Sequence, residues 1–130
     1  MSYMVTGASV FILISLALAW LATAVRIMQI PALKAHFPLS DNIVKSHIDY
    51  LLMALLLIAF YLLGNQMGVV YPGWAIWAIL IGGFINPYAF LILARHDPED
   101  FKPGPLFSIG TTASFILTTL GFGAAAVMVL

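Results

Sequence analysis

Four apolar segments, each about as long as a membrane-spanning helix, dominate this sequence. They cover about residues 6–26, 43–65, 73–95 and 106–130. A helix needs roughly 20 apolar residues to cross a bilayer. Only 8% of the chain is charged, against about 25% in soluble domains. Because a transmembrane β-barrel would show shorter segments of alternating polarity, the sequence predicts an all-α integral membrane protein. We expect one domain over residues 1–130, built as a bundle of four transmembrane helices.

The basic residues indicate how the chain crosses the membrane. All five lie in or beside the first and third connections: Arg26, Lys34, Lys45, Arg95 and Lys102. Basic residues concentrate in cytoplasmic loops, so we expect loops 27–42 and 96–105 in the cytoplasm and both termini outside, in a bacterial inner membrane. No basic residue precedes the first segment, so it is not expected to be a cleaved signal peptide.

Charge and cysteine content exclude two kinds of chemistry. The net charge is zero, which gives no electrostatic basis for binding nucleic acid. Cysteine is absent, so neither disulfides nor thiolate chemistry is available. The apolar segments leave membrane lipid as the expected surroundings of the chain.

The second apolar segment carries two polar residues near its start. His47 and Asp49 lie in KSHIDYLLMALLLIAF, and such groups are costly there unless they bind a partner or lie among headgroups. His47 is either a ligand for iron or zinc or a hydrogen-bonded structural histidine. Asp49 points to another side of the helix and is expected to pair with Lys45 or with loop donors rather than with the ring of His47. Asp41 is the expected N-cap of this helix.

Other polar and sulfur-containing side chains leave alternatives open. Asn86, in GGFINPYAF, is either a contact between helices or a hydrogen-bond donor in a buried pocket. Met53 is either core packing or a soft axial ligand to iron. A zinc site on one side of the membrane would use three histidines and one carboxylate, namely His36, His47, His96 and Asp49. No pair of these residues has the spacing that is diagnostic of a zinc site.

The last two-thirds of the chain contain three notable stretches: KSHIDYLLMALLLIAF, GGFINPYAF and KPGPLFSIG. Their order and spacing resemble those of the styrene oxide isomerase family. These small four-helix membrane proteins bind haem b and convert an aryl epoxide to an aldehyde. The resemblance implies that His47 ligates the haem iron and that Asn86 is a catalytic asparagine. We place Tyr50, Met53 and Phe90 in the pocket for a small apolar substrate. A homo-oligomer, a trimer with haem near the subunit contacts, is implied as well.

Two positions depart from the family pattern. The family has an asparagine where this chain has Met53 and a tyrosine where it has Phe90. Both changes remove hydrogen-bonding groups, so the substrate differs or isomerase activity is lost while haem binding survives. The expected function is isomerisation of an epoxide to a carbonyl compound, with the haem iron as Lewis acid. The alternatives are a haem protein for electron transfer or sensing and a non-enzymatic membrane subunit of a larger complex.

Overall fold

Four long helices and one short helix make up the described part of the chain. A computed structural model describes residues 2–96, 102 and 104–130. The helices are α1 (Ser2–Arg26), α2 (Pro31–His36), α3 (Asp41–Met67), α4 (Gly73–Ala94) and α5 (Pro105–Val129). The four long ones are each long and apolar enough to cross a membrane, which confirms the predicted all-α membrane bundle. Part of loop 96–105 lies outside the described residues.

The connection from α1 to α3 contains the short helix α2, which the sequence analysis did not predict. Pro31 suits its first turn, because that position needs no backbone N–H donor. The predicted N-cap is wrong: Ser40 precedes α3, and its side chain makes no capping hydrogen bond. Asp41 is already helical, and its carboxylate instead pairs with Arg26 at the end of α1, at 3.3 Å.

The order of the helices leaves one side of the bundle open. Helix α3 lies between α1 and α4, and α5 packs against α4; within the described residues α1 and α5 do not contact each other. The outward faces carry large apolar side chains that are more than half exposed, among them Leu13, Trp20, Leu55 and Ile109. Lipid is the solvent that such surfaces require, so the chain is an integral membrane protein.

Glycines bring α4 and α5 into close contact. A Cβ atom at Gly82 would lie 2.8 Å from the carbonyl oxygen of Ser114, and one at Gly121 would lie 3.0 Å from that of Ala75. Small residues at such positions let helix backbones approach within a membrane, where dispersion contacts replace the hydrophobic effect as the packing force. The α4–α5 pair is therefore specified by the absence of side chains at these two positions.

Hydrogen bonds from α3 side chains join it to α4 near Pro87. The hydroxyl of Ser46 donates to the carbonyl oxygen of Pro87 at 2.8 Å, and the phenol of Tyr50 donates to that of Phe84 at 2.9 Å. Helix α4 runs through Pro87 as one element. These bonds satisfy buried polar groups at a depth where water is absent, and they fix the rotation of α3 against α4.

Candidate functional site

His47 is held by a single residue of the neighbouring helix. Its Nδ1 atom lies 2.7 Å from the carbonyl oxygen of Ser15 and 2.8 Å from the Ser15 hydroxyl oxygen. That hydroxyl also donates to the main-chain carbonyl of His47 at 3.0 Å. Ser15 is 1% exposed, so this contact between α1 and α3 lies in the interior.

These contacts determine the tautomer of His47. A main-chain carbonyl can only accept a hydrogen bond, so we assign the imidazole proton to Nδ1. In the neutral imidazole with this tautomer the lone pair is on Nε2, and no described residue hydrogen-bonds to that atom. A carbonyl that fixes the distal nitrogen in this way is the usual outer partner of a metal-binding histidine. A ring held in this way serves either as a structural contact between α1 and α3 or as a ligand through Nε2.

Asp49 and Asn86 form a polar pair between α3 and α4. The Nδ2 atom of Asn86 donates to Oδ2 of Asp49 at 3.2 Å, and both side chains are partly buried. The predicted pairing of Asp49 with Lys45 is not formed, because the carboxylate is directed at α4. Asn86 is thus both a contact between helices and a polar group whose second N–H and carbonyl oxygen are not engaged by any described side chain.

The Asp49–Asn86 pair lies in the wall of a cleft of about 590 Å³ between α3, α4 and α5. Apolar side chains make up most of the rest of its wall, including Leu52, Phe90 and Phe115. A pocket with a small number of polar groups among apolar ones is the usual form of a site for an apolar ligand. We call it the α3–α5 cleft.

The predicted pocket residues do not all lie in the α3–α5 cleft. Phe90 lines it beside Asn86. Tyr50 is 1% exposed and Met53 is 7% exposed, and both belong to the core. The Met53 sulfur lies 3.6 Å from where a Cβ on Gly83 would stand, so Met53 fills the space that this glycine leaves.

His47 and Asn86 lie on opposite sides of α3. His47 contacts α1 through Ser15, whereas Asn86 contacts α3 through Asp49. Side chains two residues apart on an α-helix project about 200° apart, which separates His47 from Asp49. One copy of the chain therefore does not bring His47 and Asn86 to the same side of α3.

The zinc alternative receives no support from the described residues. None of the histidines and carboxylates among them form a group of three or more able to hold a metal ion. The ring of His36 packs edge-on against Phe37, with centroids 5.1 Å apart, and His47 is engaged by Ser15.

Ser15, which positions His47, is not singled out by any sequence pattern. Its only distinguishing feature in the sequence is a hydroxyl within an apolar segment, which Ser9 shares. The two differ in the structure, because the Ser9 hydroxyl bonds to its own helix, at the carbonyl of Val5.

No match to the chain was found among protein-family models, curated proteins or solved structures.

Proposed function

We propose that this protein binds haem b through Nε2 of His47 and acts on a small apolar epoxide, as the resemblance to styrene oxide isomerases implies. The observation that carries the proposal is the hydrogen bond from Nδ1 of His47 to the Ser15 carbonyl, at 2.7 Å. This bond directs Nε2 away from Ser15, and the lone pair on Nε2 of a neutral imidazole is the group that binds iron. The donor set therefore fits haem held by one protein ligand.

The haem, the Asp49–Asn86 pair and the apolar wall of the cleft have different roles in this proposal. When bound, haem b supplies a Lewis-acidic iron for the epoxide oxygen. Asn86 offers its second amide hydrogen to the substrate, while Asp49 keeps the amide in one orientation. The apolar wall of the α3–α5 cleft selects a substrate of low polarity and excludes the water that would add to a developing cation.

The separation of His47 from Asn86 supports a site shared between two copies. The two residues serve opposite sides of α3, so a single substrate reaches both only if a second copy contributes one of them. A cyclic homo-oligomer repeats the same heterologous contact until the ring closes. The trimer implied by the resemblance is the proposed assembly.

The charge distribution supports the proposed orientation. The end of α1 and the start of α3 lie at the same end of the bundle, where Arg26 pairs with Asp41. The linker before α3 reaches the end of α4 there, and the backbone N–H of Leu39 donates to the carbonyl oxygen of Ala94 at 3.2 Å. The basic residues gather at this end, which we call the basic end. We place it in the cytoplasm of a bacterial cell, with both termini outside.

Phe90 favours a second candidate, a haem protein for electron transfer or sensing without isomerase activity. It lines the cleft beside Asn86, at the position where the family has a tyrosine hydroxyl. Without that hydroxyl, the cleft still admits an apolar molecule but has one fewer donor for an epoxide oxygen. The first candidate predicts aldehyde formation from an aryl epoxide, and the second predicts none from a haem-loaded protein.

A haem titration tests the ligand assignment. The detergent-purified protein is titrated with haemin, and its absorption spectrum is recorded before and after dithionite. We expect a Soret band with reducible α and β bands in the wild type, and loss of haem binding in His47→Ala. His36→Ala is the matched control, because His36 is exposed and belongs to the short helix α2. Full haem content in His47→Ala, or equal loss in both variants, would overturn the assignment.

A further inference from the structure

A second cleft, separate from His47 and Asn86, lies at the basic end of the bundle. It measures about 220 Å³ and is bordered by α1, α2 with the residue that follows it, and α4. Three polar side chains line it: Arg95, His36 and Tyr88. Apolar side chains complete the wall, among them Leu21, Phe37 and Leu91. Its lining is therefore divided between polar and apolar groups.

The polar groups of this basic-end cleft have no hydrogen-bond or ion-pair partner among the described residues. Arg95 forms no ion pair there, in contrast to Arg26, which pairs with Asp41. The Tyr88 hydroxyl and the ring nitrogens of His36 make no hydrogen bond with any described residue. No described carboxylate lines the cleft. Among the described residues, the cleft therefore presents hydrogen-bond donors and one positive charge, with no carboxylate to balance that charge.

The depth of these groups matches the layers of a phospholipid. Tyr88 precedes Arg95 by seven residues, which places it about 10 Å deeper along α4. Arg95 and His36 are exposed, as expected for groups at the level of headgroups. Tyr88 is 44% exposed and stacks on Phe84 at a centroid distance of 6.0 Å, so its phenol is held beside apolar surface. Phosphate lies above ester carbonyls and acyl chains in the same order.

We propose that the basic-end cleft binds one anionic phospholipid of the surrounding membrane. Arg95 and His36 contact the phosphate, Tyr88 donates a hydrogen bond to an ester carbonyl, and the acyl chains follow Leu21 and Leu91. An anionic lipid is favoured over a zwitterionic one, because the cleft offers no described carboxylate for a choline or ethanolamine amine. Basic pockets between transmembrane helices bind anionic headgroups by this chemistry. The proposal does not depend on haem binding.

Native mass spectrometry of the full chain tests this proposal. The protein in detergent is mixed with phosphatidylglycerol or phosphatidylcholine, and retained lipid is counted. We expect one phosphatidylglycerol per chain and about fivefold weaker retention in Arg95→Gln. Lys34→Gln is the matched control, since it removes one charge from α2 at the same end of the bundle without belonging to the cleft. Tyr88→Phe keeps the charge and the ring, and we expect it to weaken retention as well.

Three outcomes would overturn the lipid assignment. Equal retention of both lipids would mean that the cleft does not select an anionic headgroup. Equal loss in Arg95→Gln and Lys34→Gln would mean that surface charge alone attracts the lipid. Displacement of phosphatidylglycerol by millimolar inorganic phosphate would make the site one for a free anion. If Arg95→Gln fails to fold, unchanged retention in Tyr88→Phe would still contradict the proposal.

Discussion

Ser15 and His47 join α1 to α3 through reciprocal hydrogen bonds. The Ser15 carbonyl accepts from Nδ1 of His47 at 2.7 Å, and the Ser15 hydroxyl donates to the His47 carbonyl at 3.0 Å. The hydroxyl also lies 2.8 Å from Nδ1. Because both partners are backbone or buried groups, the imidazole has one tautomer and one direction.

Removing the Ser15 hydroxyl should weaken haem binding without abolishing it. In Ser15→Ala the main-chain carbonyl still accepts from Nδ1, but the ring loses its second partner. Loss of an outer partner of a metal ligand costs about 10- to 100-fold in affinity, and we expect the lower end of that range in a haemin titration. Ser9→Ala is the control, because the Ser9 hydroxyl bonds only within α1. Equal affinities for the two variants would show that the hydroxyl does not orient the ring.

Restoring a hydroxyl at Phe90 should raise isomerase activity. Phe90 lines the α3–α5 cleft beside Asn86, so Phe90→Tyr adds a donor where the family has one. A donor directed at developing negative charge is worth about 100-fold or more, and we expect at least a tenfold rise in aldehyde formation from an aryl epoxide. Phe122→Tyr, which adds a hydroxyl on α5 outside the cleft and beside Phe60, should leave the rate unchanged. A fall in rate for Phe90→Tyr alone would indicate a different substrate.

Co-expression of two inactive variants tests the shared site. His47→Ala and Asn86→Ala should each be inactive, since the first lacks the haem ligand and the second lacks the donor of the cleft. In a cyclic oligomer, each site takes His47 from one copy and Asn86 from the next. When the two variants mix at random in equal amounts, about a quarter of the sites therefore contain both intact residues. Different affinity tags verify that the copies mix. Mixed assemblies without activity would place the whole site in one copy.

The length and composition of the apolar segments were enough to predict the four long helices. Membrane thickness sets that length, so no knowledge of packing was needed. Side-chain partners depend instead on how each helix is rotated against its neighbours. Sequence spacing predicts Lys45, one turn away, or a loop donor as the partner of Asp49, but Asn86, 37 residues further along the chain, is the partner in the structure. Tyr50, predicted to line the substrate pocket, likewise lies in the core, because Phe11 of α1 and Phe84 of α4 both pack against its ring.

The close approach of α4 and α5 should be sensitive to a single methyl group. In Gly82→Ala the new Cβ would meet the Ser114 carbonyl oxygen at 2.8 Å and the Thr118 amide nitrogen at 2.9 Å. Both are backbone atoms, so one helix has to move, and overpacking of this kind costs about 1–3 kcal/mol. We expect a lower free energy of unfolding, measured by helical circular dichroism in detergent. Gly110→Ala is the control, because nothing lies within 4 Å of its new Cβ. Equal stability of the two variants would mean that α5 adjusts without cost and that the glycine at position 82 does not specify the pairing.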